Sequence, residues 1–411
     1  MKFRIVLYAC LSITVLCPFP AYAVQRWVFK SVKSFGAEGN GIHDDTGAIQ
    51  AAVAAGTAVY FPPGIYKYVG NVMLMTNKSY RIFGDGPGVS TIRFFGPNAG
   101  ISVTHTTSAT LNVEGLTLMA DSTCTNCGTA LFASFDPGPT KYHTATIHNV
   151  QVCGSARDGT TGGYWTNGIY LYQATNAVID KVEVSGNKNV TQMGIAWDGD
   201  PNPTPSPPRH ATTGIQLCNI EVKWCNTGLE SSGYVEGLYM TGFEILSCGR
   251  NGPAIKLSGS TVGAGGVFQL ANGLVDSVGG GISMSGFVYG KVSNVSFRHN
   301  GSEIENGTML SFTNVRPVAV SDCSFHGSGN STPLENGIWL NSVTEAQISG
   351  NHFTNMQATN GYPIVLFTGS SLARITDNLF TNVRSRFYID QSVTDTYYCG
   401  NNPTNNCGST P

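Results

Sequence analysis

Apolar and polar positions along this chain follow a six-residue unit that returns ten times: apolar, any residue, a turn former or small polar residue, apolar, any residue, apolar. The copies occupy 113–118, 147–152, 179–184, 217–222, 240–245, 270–275, 292–297, 320–325, 348–353 and 375–380, starting 22 to 38 residues apart. A unit this short buries no core alone and is stable only when stacked on its neighbours, so the period predicts a solenoid. The third position is Gly115, Asn149, Lys181, Asn219, Gly242, Asn272, Asn294, Asp322, Gly350 and Asp377. Gly, Asn and Asp accept the left-handed backbone of a sharp bend between strands. By strand alternation the fourth and sixth positions face inward and the fifth faces out. The sixth position becomes Phe297, Phe325, Phe353 and Phe380, which predicts an internal aromatic stack. Asn351 and Asn378, at inward fourth positions, suit an asparagine ladder.

A second short strand follows the hexad at 168–171, 228–231, 254–257, 281–284 and 337–340, with no helical period between. The expected fold class is all-β: a single-stranded parallel β-helix of at least ten turns. Leucine-rich repeats are shorter, and propeller blades need four strands in about 40–45 residues. The 50 glycines and 12% charged residues agree.

Upstream lie Phe35-Gly36-Ala37, Gly41-Ile42-His43-Asp44-Asp45-Thr46-Gly47-Ala48-Ile49-Gln50 and Val59-Tyr60-Phe61-Pro62-Pro63-Gly64-Ile65-Tyr66. This segment resembles the start of the pectate-lyase-like superfamily, the right-handed β-helix group of pectate lyases, polygalacturonases and tailspike depolymerases. The resemblance spans residues 28–400 and implies a right-handed coil closed at its N-terminal end by a capping helix over Thr46–Ala55. Asp44 and Asp45 are read as structural, with Asp45 as N-cap, and not as a catalytic pair. The polygalacturonase motifs do not transfer: the chain offers only Asn226-Thr227-Gly228 and Ala254-Ile255-Lys256, with no Gly-His-Gly. The Arg-x-Pro-x-x-Arg run of pectate lyases is also absent. The resemblance therefore implies a carbohydrate-active β-helix without specifying a pectin enzyme. Tailspike-like relatives form side-by-side trimers, so monomer and homotrimer both stay open.

Residues 1–23 carry Lys2 and Arg4, an apolar stretch and Ala21-Tyr22-Ala23, the pattern of a cleavable secretory signal. A secreted or periplasmic protein is expected, without membrane insertion. Residues 24–411 read as one domain: cap and first turns to 110, regular turns over 111–390, and a tail over 391–411. A net charge of −2 gives no reason to expect nucleic acid. An exported chain uses cysteines for disulfides. Cys399 and Cys407 are expected to pair, Cys124 and Cys127 to form a local bridge, and Cys225 and Cys248 to stack or pair.

Outward residues of stacked parallel strands form columns about 4.8 Å apart. The fifth-position column reads Thr117, Gln151, Glu183, Glu221, Glu244, Leu274, Ser296, Ser324, His352 and Leu379. Glu183, Glu221 and Glu244 fall in three consecutive turns and are the candidate catalytic groups. Mutual repulsion is expected to raise at least one of their pKa values, unless Lys181 and Lys223 neutralise them. The widest gap in the coil, carrying Trp197, Asp198, Asp200, Arg209 and His210, leads into the Glu221 strand and is expected to wall a binding cleft. Tyr170, Glu230 and Lys256 form a second outward column, and Tyr239 and Lys223 complete the substrate-binding candidates. A second insertion carries Arg157, Asp158, Tyr164 and Trp165.

Carboxylates among Tyr and Trp suit a polysaccharide. Three activities compete. A glycoside hydrolase would use a glutamate pair and no cofactor. A lyase or uronate epimerase would use Lys223, Arg209, His210 or Tyr239 on the proton beside a carboxylate, with glutamates able to hold Ca²⁺. A non-catalytic glycan-binding solenoid would do neither.

Overall fold

The computed structural model describes residues 28–409 apart from 71–72, 107, 125–126, 136–142, 157–158, 160–161, 188, 190, 200–211, 251, 260–265, 300–306, 330–334, 360 and 403–406. The expected export signal lies outside the described residues. So do Asp200, Arg209 and His210 of the long insertion, and Arg157 and Asp158 of the other.

All ten third positions have positive φ, from 52° at Asn219 and Asn294 to 69° at Gly350, so each hexad turns a left-handed corner where the pattern puts one. Most corners are Asn, Asp or Gly, which take this conformation at little cost. Lys181 is the exception among the ten, at φ 53°. Chain before the corner forms one ribbon, chain after it a second, and the following strand a third. The first two ribbons are continuous through the corner in long strands such as Thr212–Lys223 and Val235–Cys248, and separate in later turns, as in Val318–Ser321 and Ser324–His326. Among the described residues they make one sheet of 21 strands, and the third ribbon a sheet of 12. Pairing is parallel until Tyr397–Cys399 meets Gly408–Ser409 in antiparallel.

The interior is a set of inward columns. Phe297, Phe325, Phe353 and Phe380 stack with centroids 4.7, 4.7 and 5.1 Å apart and planes within 9° of parallel. The asparagine ladder forms and is one rung longer than expected. Asn351 Nδ2 donates to Asn378 Oδ1 (3.0 Å), and Asn378 Nδ2 donates to Asn401 Oδ1 (3.1 Å). Asn401 belongs to an eleventh corner at Gly400, φ 69°, hidden in the sequence because Asn401 and Pro403 stand at the fourth and sixth positions, where the pattern has apolar residues.

The capping helix Thr46–Ala55 packs Ile49 and Ala52 inward over the first strands. Asp45 holds the N-cap position but makes no side-chain cap. Its buried carboxylate instead accepts from the N–H groups of Glu38 (2.7 Å) and Gly39 (3.2 Å). Asp44 Oδ1 takes the Thr46 N–H at 3.0 Å. Both aspartates thus hold backbone N–H groups at the cap. The bridges Cys124–Cys127 and Cys399–Cys407 are present, whereas Cys225 and Cys248 are buried free thiols in contact. No helix among the described residues is long and apolar enough to cross a membrane.

Candidate active site

The ten fifth-position residues form one continuous register column. Thr117 pairs with Gln151, Gln151 with Glu183, Glu183 with Glu221, and Glu221 with Glu244. Leu274, Ser296, Ser324, His352 and Leu379 follow in order. The three glutamates therefore stand on adjacent strands of the second ribbon, about one strand spacing (~4.8 Å) apart. They edge a groove of about 750 Å³ that runs along the corner. Lys181, Asn219, Asn272, Asn294 and Asp322 line its other side. Corner amides tie this wall together: Asn294 Nδ2 donates to Asn272 Oδ1 at 2.8 Å, and Asn219 Nδ2 to Asp180 Oδ1 at 3.0 Å.

The glutamates are not equivalent. Lys223 Nζ lies 2.9 Å from Glu183 Oε1 and 2.8 Å from Glu221 Oε1, bridging the two. Glu183 also accepts from Gln151 Nε2 (2.8 Å) and Ser185 Oγ (2.9 Å). Burial alone would raise the Glu183 pKa. Hydrogen bonds from Lys223, Gln151 and Ser185 outweigh burial and hold its carboxyl below the ordinary glutamate range. The expectation that repulsion lifts a carboxyl is therefore corrected at Glu183, because the cation that was only an option in the sequence reaches both groups. Burial likewise works against the Lys223 ammonium, but its bonds to Glu221 and Glu183 raise its pKa. Glu244 is exposed and has no hydrogen bond or ion pair to a described residue.

The other candidates divide among the faces. Trp197 is corrected: its side chain is fully buried, because it occupies an inward register position between Leu171 and Ser231. It walls no cleft. Trp165 is buried too, donating to the carbonyls of Leu118 and Cys153. Tyr170, Glu230 and Lys256 share one outward column of the third ribbon, as expected. There Tyr170 Oη donates to Asp198 Oδ2 (2.6 Å), Ser232 N–H holds Asp198 Oδ1 (2.8 Å), and Lys256 pairs with Glu230 (2.9 Å). Burial and the Asp198 carboxylate push the Tyr170 hydroxyl far above its usual pKa. Tyr239 is exposed on the first ribbon, across the corner from Glu244. Of the substrate-binding candidates among the described residues, only Lys223 joins the glutamates.

Sequence reasoning missed Trp224. Its backbone sits at φ 59°, unusual for so bulky a residue. Its ring centre is 5.3 Å from Lys223 Nζ. Gly159 lies against that ring, where a Cβ would come within 2.5 Å. An aromatic next to a lysine gives no signal in sequence; the signal is the left-handed backbone. Calcium does not fit the column, since the Lys223 ammonium already bridges Glu183 and Glu221. No group of three or more His, Cys, Asp or Glu among the described residues is arranged for a metal.

A family model described as "Rhamnogalacturonase A/epimerase, pectate lyase-like" matches residues 29–252, over half of the chain. One described as "Right handed beta helix region" matches 227–407. Among curated proteins none matches. Similar solved structures include the A-module of the Azotobacter vinelandii mannuronan C-5 epimerase AlgE4, with TM-score 0.60 and 17% identity over 89% of this chain and 99% of that one. The Agl-KA catalytic domain has TM-score 0.52 and 16% identity over 92% of this chain and 70% of that one. The enzymatically active domain of bacteriophage CBA120 tailspike protein 2 has TM-score 0.51 and 16% identity over 78% and 47%. At these identities the likeness shows a shared fold.

Proposed function

The chain belongs to the pectate-lyase-like family of rhamnogalacturonase A and epimerase, and from that premise we propose a polysaccharide-acting enzyme that hydrolyses glycosidic bonds between Glu221 and Glu244. The supporting observation is the unequal surroundings of two adjacent carboxyls: Lys223 pairs with Glu221, while Glu244 has no described partner. Division of labour between carboxyls requires such a difference. Strand spacing puts them near the ~5–5.5 Å separation of retaining enzymes. Glu244 donates its proton to the glycosidic oxygen as a Glu221 oxygen attacks the anomeric carbon and the bond to the leaving sugar breaks. Water, deprotonated by Glu244, then attacks the same carbon and frees Glu221. Glu183 anchors Lys223. A mannuronan epimerase and a tailspike enzymatic domain share the fold, which agrees with a polymeric glycan as substrate.

A panel of neutral and uronic polysaccharides tests this. New reducing ends without an ultraviolet-absorbing unsaturated product are expected, with Glu221→Gln lowering turnover about a hundredfold or more. Unsaturated ends would overturn hydrolysis. Binding without any product would point to a glycan-binding solenoid.

One observation favours a second reading, proton transfer at a uronate on the third ribbon. The half-buried Tyr170 phenol keeps its proton and sits 2.6 Å from Asp198. Loss of elimination or epimerisation in Tyr170→Phe, with Glu221→Gln unaffected, would select it.

A further inference from the structure

We propose that Gln151 is a positioning residue of the glutamate site, oriented by Thr117 and acting on Glu221 through Glu183 and Lys223. The inference rests on the reading of Glu221 and Glu244 as the reacting carboxyls. Its ground is a hydrogen-bond chain with only one consistent direction. The Gly88 N–H donates to Thr117 Oγ1 at 2.8 Å. The buried Thr117 hydroxyl lies 3.3 Å from Gln151 Oε1. The ionised Glu183 Oε2 only accepts, so the Gln151 NH₂ points along the column and donates to it at 2.8 Å, and the Gln151 oxygen faces Thr117, whose hydroxyl must then donate. With Oε2 occupied, Glu183 turns Oε1 to Lys223 Nζ, which spans to Glu221 Oε1.

Thr117, Gln151 and Glu183 are column neighbours, Lys223 and Ser185 meet Glu183 Oε1 from beside the column, and each group is the right type for its place. A hydroxyl can accept and donate; a primary amide converts an acceptor contact into a donor contact; a carboxylate accepts at both oxygens. The ammonium is thereby held over Glu221, two strands away from Gln151. Glu183 is held ionised by this arrangement and serves as anchor, not as proton donor. None of these contacts requires substrate, so the site is ordered before a glycan enters.

The test uses the full chain with glutamates labelled at the side-chain carboxyl carbon, and Glu183→Gln to identify the Glu183 resonance. In Gln151→Leu the Glu183 titration midpoint should rise by about one pH unit, a tenfold change in proton affinity, as expected for losing a charge-assisted hydrogen bond. The acidic limb of the kcat/KM profile should move the same way, with kcat lowered and KM nearly unchanged. Thr117→Val should reproduce part of the shift, and Thr117→Ser should restore the wild-type midpoint. The Thr117 pair also decides the matter should Gln151→Leu fail to fold. A wild-type midpoint in folded Gln151→Leu, or in Thr117→Val, overturns the proposal. A shifted midpoint with an unshifted kcat/KM limb overturns the positioning role. Full activity in Glu221→Gln overturns instead the reading of the site, leaving the midpoints to judge the chain of hydrogen bonds.

Discussion

Replacing Lys223 by Met keeps the apolar stem and removes the charge that bridges Glu183 and Glu221. Two contacts of 2.8 and 2.9 Å are lost, and two carboxylates on adjacent strands face each other unscreened. At an effective dielectric of ~20, one charge pair near 4 Å is worth ~4 kcal/mol before desolvation. Lys223 is 20% exposed, Glu183 33% and Glu221 38%, so solvent screens much of this. A net loss of about 1–3 kcal/mol at neutral pH is expected, between the values for exposed and buried pairs. The pH dependence has a definite sign. The Glu183 pKa is depressed in the fold, so its contribution is present above the unfolded value of ~4.3 and disappears as pH falls through the lower folded value. The Lys223 pKa is raised, so its contribution is present below ~10.4 and is lost only as pH climbs through the higher folded value. Urea unfolding of wild type and Lys223→Met should therefore differ most between about pH 5 and 10, and by less than half as much near pH 3. Equal destabilisation at both pH values would mean that stem packing, not charge, is what Lys223 supplies. No destabilisation at neutral pH would mean that the bridge is not populated.

Other outcomes follow from the same geometry. Asn378→Ala strands the Asn351 N–H and the carbonyls of Ile348 and Thr376 inside the coil, and should cost about 3 kcal/mol or more in urea unfolding. Phe325→Ala removes the middle of the ring stack and should cost about 3–5 kcal/mol by the same measurement. His105 is buried, lacks hydrogen-bond partners among the described residues, and has its pKa pushed down to about 4 by burial and then by His143. Wild-type stability should therefore fall as pH drops from about 6.5 towards 4, and His105→Phe, stacking on Phe135, should flatten that fall. Trp224→Ala should raise KM more than it lowers kcat on the true glycan, since its ring flanks the Lys223 bridge.

The sequence by itself determined the solenoid, its corners and its outward columns, because these depend on local chemistry. A left-handed corner needs Gly, Asn or Asp, a strand alternates its faces, and repetition carries both along the chain. The fifth-position column, and the adjacency of Glu183, Glu221 and Glu244, were legible for that reason. Tertiary structure alone decided what each column residue meets. Lys223 follows Glu221 by two residues, yet reaches back a full turn to Glu183 and helps hold that carboxyl below its ordinary range. Trp197 reads as a cleft aromatic from its position before a long insertion, but strand register turns it into the core. Trp224 and Gln151 carry no motif, and matter only through the ring, amide and ammonium that stacking brings beside them. The eleventh corner escaped notice because its tail is polar, although Gly400 and Asn401 already held the residues that the bend and the ladder require. Periodicity fixes which residues share a column; the reach of side chains between turns fixes charge, burial and chemistry.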